Sequence, residues 1–75
     1  MGRLRVLSGR EVCRILGDNG FNLIRHRGSH AVMQKAIGDS TVTVPVPLHN
    51  ELKPGTLLAI VRQSGLARIL FEEET

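Results

Sequence analysis

Gly28-Ser29-His30 closes a short basic stretch that begins at Arg25 and also holds His26 and Arg27. Histidine is the side chain whose ordinary pKa, about 6.5, lies nearest neutral pH, so it can both take and give a proton. Arginine offers phosphate oxygens a planar fork of N–H donors. Metal-free cleavage of RNA asks for this kind of set. It needs a base for the 2′-hydroxyl proton, an acid for the leaving 5′-oxygen, and cationic donors for the charge that grows on the phosphate. Glycine at 28 lets a backbone approach a bulky polyanion, and Ser29 adds a hydroxyl donor. His30 is the candidate acid–base residue. His26, four residues earlier across the turn, and His49, just past Pro45-Val46-Pro47, are candidates for a second one. The structural alternative is that His30 is a strand residue facing solvent and that the other two brace loops.

Other chemistries find less support. The three histidines and one cysteine include no C-x-x-C pair to complete a metal-ligand set, so no metal site is expected. There is no G-x-S-x-G elbow for a serine nucleophile, and no glycine pattern for a nucleotide or dinucleotide. No cofactor is expected.

Seventy-five residues allow a single domain over 1–75 with one small core. A domain of this size is marginal alone, and a partner or a second copy would help it. No apolar run approaches the length of a membrane span, and the basic N-terminus lacks the apolar segment of a secretory leader. The lone Cys13 cannot form an internal disulfide, which fits a reduced, cytoplasmic protein. Charge is uneven. Residues 1–35 carry seven Arg or Lys against two acidic side chains, whereas residues 36–75 carry three against five. The first half is the part that seeks a polyanion. With no Trp or Tyr and only Phe21 and Phe71, both expected in the core, base stacking is not expected; backbone or shape recognition is.

These residues need elements to hold them. Ser8-Gly9-Arg10-Glu11 has the S-x-x-E spacing of a capping box. Leu7 and Val12 are spaced as a hydrophobic staple, and Val12, Ile15 and Leu16 give a helical stripe. A helix is predicted over 9–19, stopped by Asn19-Gly20, with Cys13 as a packed thiol beside its stripe. Strands are predicted from Phe21 to Arg27, from His30 to Lys35 and over Thr41–Val44, joined by turns at Gly28-Ser29 and Gly38-Asp39-Ser40. In the second strand Ala31 and Met33 share one face, and His30, Val32 and Gln34 the other. Pro45 and Pro47 are expected to stop the third strand, since proline cannot donate to a ladder. Pro54 opens a second helix that Gly65 closes, with Leu57, Leu58, Ile60 and Val61 inward. A short helical turn is expected at Ala67–Phe71, then a solvated acidic tail over 72–75. The order α-β-β-β-α predicts an α+β fold, a three-stranded antiparallel sheet with both helices on one face and a core over about 7–71.

Taken together, these pieces resemble HicA-type toxins, the small mRNA interferases of toxin–antitoxin pairs. The resemblance is carried by Ser8-Gly9-Arg10-Glu11-Val12, Gly20-Phe21, Arg25 to His30, Thr43-Val44-Pro45-Val46-Pro47, His49 to Leu57, and Ile60 to Gly65. They span roughly residues 7–66 in the family's order and spacing. The resemblance implies a fold similar to the double-stranded-RNA-binding domain. It also implies endoribonuclease action on mRNA with translational arrest, and a HicB-type antitoxin that covers the active surface. The essential histidine of such toxins is the one in Gly-Ser-His, here His30. Basic and turn residues around it, here Arg25, Arg27, Gly28, Ser29 and Lys35, would contact RNA. The alternative is a non-catalytic RNA-binding module on the same fold, or a protein whose sole task is to hold a partner.

Overall fold

Ser8 starts the first helix as its spacing from Glu11 predicts. Its hydroxyl accepts from the Glu11 N–H (3.1 Å), and its own N–H donates to Glu11 Oε1 (2.9 Å). Leu7 and Val12, the two ends of the staple, are both buried. In this computed structural model, which describes residues 2–74, the helix α1 covers Gly9–Asp18 and ends at Asn19. Three strands follow, β1 (Asn22–Arg27), β2 (His30–Ile37) and β3 (Ser40–Pro47). Then come α2 (Pro54–Ser64) and a 3₁₀ turn over Arg68–Phe71. The order is α-β-β-β-α, and the strands pair antiparallel in the order β1-β2-β3, an α+β fold.

Alternation along the strands sorts the two faces of the sheet. Ala31 and Met33 of β2 and Val44 and Val46 of β3 are buried on one face. The last three of these form one core with Val12 and Leu16 of α1, with Leu57, Ile60 and Val61 of α2, and with Phe21 and Phe71. Both helices therefore lie on that face, and among the described residues no helix covers the other.

Two predicted boundaries shift. The second strand runs on to Ile37, and the third passes through Pro45 and Pro47 instead of stopping at Val44. The ladder explains the prolines. Leu48 N–H donates to Ser29 O (2.6 Å), so positions 29 and 48 form a hydrogen-bonded pair. Antiparallel pairs alternate, so His30–Pro47 and Val32–Pro45 are the non-hydrogen-bonded ones. At those positions the N–H of β3 would point away from β2, toward the outer edge of the sheet. The prolines thus cost no ladder bond, and they block that edge against further pairing.

The acidic tail is also less free than its composition predicts. Arg5 N–H donates to Phe71 O (2.9 Å), Glu73 N–H donates to Arg3 O (2.8 Å), and Leu4 bridges to Glu72. Glu72 is half-buried and accepts from Arg68 Nε (2.7 Å). The two ends of the chain clasp each other, with Phe71 fully buried as the pin. Glu73 and Glu74 are exposed, and Thr75 lies outside the described residues.

Candidate functional site

The β1–β2 hairpin holds most of the candidate residues. Arg27 and His30 face each other across the two-residue turn Gly28-Ser29. Gly28 has φ +55° and Ser29 does not have a positive φ, the pattern of a hairpin turn with glycine at its first central position. The turn does not stand free, because the Leu48 N–H holds the Ser29 carbonyl. His30 thus begins a strand pinned on both sides, by Arg27 in β1 and by Pro47 in β3.

A bulge in β1 decides which face Leu23 joins. Leu23 and Arg25 are two apart and would share a face in a regular strand. Here Leu23 pairs with Met33 and Arg25 with Val32, so Ile24 is the extra residue. Leu23 consequently turns to the helix-bearing side with Met33, while the register counted from the turn keeps Arg25 and Arg27 on the open side with Val32 and His30. Across the three strands the open face reads in rows: Arg27, His30 and Pro47; then Arg25, Val32 and Pro45; then Asn22, Gln34 and Thr43. Gln34 Nε2 donates to Thr43 Oγ1 (3.0 Å) in the last row. None of these residues is acidic. The row positions flanking His30 offer cations and neutral groups to whatever lies on the sheet.

His30 is exposed, and Ser29 Oγ lies 3.5 Å from its Nδ1. Arg25 and Arg27 are exposed beside it, and neither has a carboxylate partner among the described residues. His26 pairs with Ala31 and so belongs to the opposite, helix-bearing side of the sheet. Lys35 is on that side too. Its ammonium donates to Asn19 O (3.0 Å) at the C-terminal end of α1 and stands 5.9 Å from the centre of the Phe21 ring. A cation at a helix C-terminus is favourably placed against the helix dipole. His49 lies two residues beyond Pro47, the strand neighbour of His30; it is exposed, and its carbonyl accepts from Gly9 N–H (2.9 Å). The hairpin therefore gathers His30, Arg25, Arg27, Gly28 and Ser29, with His49 on the adjoining segment, and sends His26 and Lys35 to the other side.

A family model, the HicA toxin of bacterial toxin–antitoxin systems, matches residues 9–66. The chain belongs to the HicA toxin family. No curated protein matches it. In this HicA toxin the matched residues run from the first residue of α1 to just past the end of α2 and include the whole sheet. The terminal clasp of Leu4 and Glu72 lies outside them. Membership makes the chain the toxin of a toxin–antitoxin pair, with an antitoxin as its partner. Among the described residues no helix is long and apolar enough to cross a membrane.

Gln34 lies on the face of His30, as the alternation of β2 predicts, and Thr43 beside it is an open-face residue that sequence reasoning did not single out. The signal for Thr43 is the period-2 alternation of β3, which continues through Pro45 and Pro47. Cys13, expected as a packed thiol, is half-buried on α1, and burial pushes its pKa up, which keeps the thiol protonated and unreactive near neutral pH.

Proposed function

We propose that this HicA toxin is an endoribonuclease that cleaves mRNA on the open face of its sheet, with His30 as an acid–base residue. The observation that carries the reading is the register set by the Gly28-Ser29 turn, which pairs Arg27 with His30 and Arg25 with Val32 and so puts both arginines on the same face as His30. In the proposed reaction the 2′-oxygen of the substrate attacks the adjacent phosphorus as His30 takes its proton. The bond from phosphorus to the 5′-oxygen breaks, and an acid protonates that leaving oxygen. The products are a 2′,3′-cyclic phosphate and a 5′-hydroxyl. No metal enters the steps. Arg25 and Arg27 bind the phosphate and stabilise the charge that builds on it. Gly28 and Ser29 give the strand backbone room to come close. His49 is favoured over His26 as the second acid–base group, because its backbone adjoins the strand segment beside His30 and His26 pairs on the far side. Lys35 is assigned to bracing α1, where its ammonium is engaged.

On this reading the protein acts in the cytoplasm, where mRNA cleavage arrests translation, and a HicB-type antitoxin silences it by covering the open face. The test is purified protein incubated with RNA in the presence of a chelator. Fragments ending in a 2′,3′-cyclic phosphate support the reading. RNA that is bound but left intact would make the protein a binding module of double-stranded-RNA-binding type instead, and activity abolished by the chelator would refute the metal-free mechanism.

A further inference from the structure

The side of the sheet away from His30 holds a second surface that the proposed reaction does not use. A groove of about 480 Å³ runs between α1 and the β1–β2 hairpin. Its floor is apolar, with Leu23, Met33 and Leu48, and its rim is cationic, with Arg10, Arg14 and His26. Leu23 is 58% exposed and its neighbour Ile24 52%, high for large apolar side chains. Arg10 and Arg14 stand one helical turn apart, and among the described residues neither has a carboxylate partner. The bulge in β1 turns Leu23 to this side, where it is left uncovered.

The groove lies along the sheet edge that carries no proline, that of β1. Prolines block the outer edge of β3, whereas β1 is exposed along its whole length and contains no proline. An added strand would present alternate side chains to the groove and find unpaired backbone N–H and C=O groups along β1. We propose that this edge and groove dock an acidic, extended segment of a protein partner, which adds a strand to β1. Its apolar side chains would enter the groove beside Leu23, and its carboxylates would meet Arg10 and Arg14.

Charge selects this occupant. A second copy pairing through β1 would set Arg25 and Arg27 of one protomer against the same arginines of the other, a like-charge contact that is destabilising. RNA would satisfy the cations but not the apolar floor, and the groove offers no aromatic face for bases, since Phe21 and Phe71 are buried in the core.

The test uses the intact isotope-labelled protein and a synthetic capped peptide of alternating Glu and Val or Leu, seven residues long. The proposal expects saturable amide shifts confined to Asn22–Arg27 and Arg10–Arg14 at peptide concentrations up to about 1 mM. The double variant Arg10→Glu/Arg14→Glu should weaken binding by at least about tenfold, because it sets like charges against each other. Leu23→Asp, a change at an exposed edge position, should act in the same direction. An N-methylated peptide that cannot pair with β1 should fail to bind. The proposal is overturned if the peptide causes no saturable shift, if a Lys-for-Glu peptide binds as well, or if the variants bind unchanged. An RNA oligonucleotide that shifts the groove residues in place of the peptide would overturn it too.

Discussion

Gly9 and Gly17 sit on the same helix, yet alanine should have opposite effects at the two positions. A Cβ built on Gly9 would stand 2.0 Å from Pro47 O, 2.8 Å from Leu48 Cα and 2.9 Å from Pro47 C. All three are backbone atoms of the segment that leaves β3, so no side chain can swing aside. Relieving such overpacking costs about 1–3 kcal/mol. The same shift strains the bond from Gly9 N–H to His49 O, worth about 0.5–1.5 kcal/mol. Against this, losing glycine's freedom in the unfolded chain returns about 0.4–1 kcal/mol. The net is a loss of about 0.5–4 kcal/mol, out of roughly 4–11 kcal/mol for a 75-residue domain. At about 4–8 °C per kcal/mol in a small domain, Gly9→Ala should lower Tm by about 2–30 °C. A Cβ on Gly17 meets nothing within 4 Å, so Gly17→Ala should hold or raise Tm. The assay is a pair of thermal melts followed by circular dichroism. The Pro47–Leu48 segment also holds the Ser29 carbonyl, so Gly9→Ala should cut RNA cleavage even at temperatures where the variant is folded. Equal melting of the two variants would refute the close-packing argument and, with it, the claim that α1 steadies the His30 turn.

Three further predictions concern single residues. The Ser8 backbone N–H, followed by its hydroxyl, holds the Glu11 carboxyl below the ordinary carboxylate range. Because the folded value lies below the unfolded one, the stabilisation is full above the unfolded pKa of about 4.3 and is lost as pH falls through the folded value. The Tm gap between the natural protein and Glu11→Ala should therefore close as pH is taken well below 4, and a gap independent of pH would refute the capping-box account. Arg27→Gln should reduce the slope of log affinity for single-stranded RNA against log salt by about 0.7, the loss of one phosphate contact. His26→Ala, on the other side of the sheet, should leave RNA cleavage unchanged; a loss there would mean that the two faces have been assigned wrongly.

Much of this architecture was legible from local chemistry. The capping box, the staple, the two hairpin turns and the Pro54 start each involve residues close in sequence, so spacing alone specifies them. What the sequence did not reveal depends on contacts between distant residues. Proline in β3 reads as a stop until the neighbouring strand shows which N–H groups face outward. The bulge at Ile24 is set by the pairing of β1 with β2 and leaves no local mark in Asn22-Leu23-Ile24-Arg25. His26 is four residues from His30 in sequence, but the turn register pairs it with Ala31 and so puts it on the other face. Lys35 read as one more cation of the basic half, because its partner, the Asn19 carbonyl, lies sixteen residues away. Within the candidate site, the turn that holds His30 is local and legible in the sequence, and the face on which each flanking residue lies is less so.

The central claim is that His30 moves the proton in RNA cleavage. The direct measurement compares purified natural protein with His30→Ala on one RNA substrate, with a melting curve for each to establish that both are folded. Removing a positioned acid–base group costs about 10²–10⁴-fold in rate. The account predicts a loss of that size at a nearly unchanged Tm, because His30 is exposed and off the core, with RNA still bound through Arg25 and Arg27. Cleavage by His30→Ala at the natural rate would contradict it.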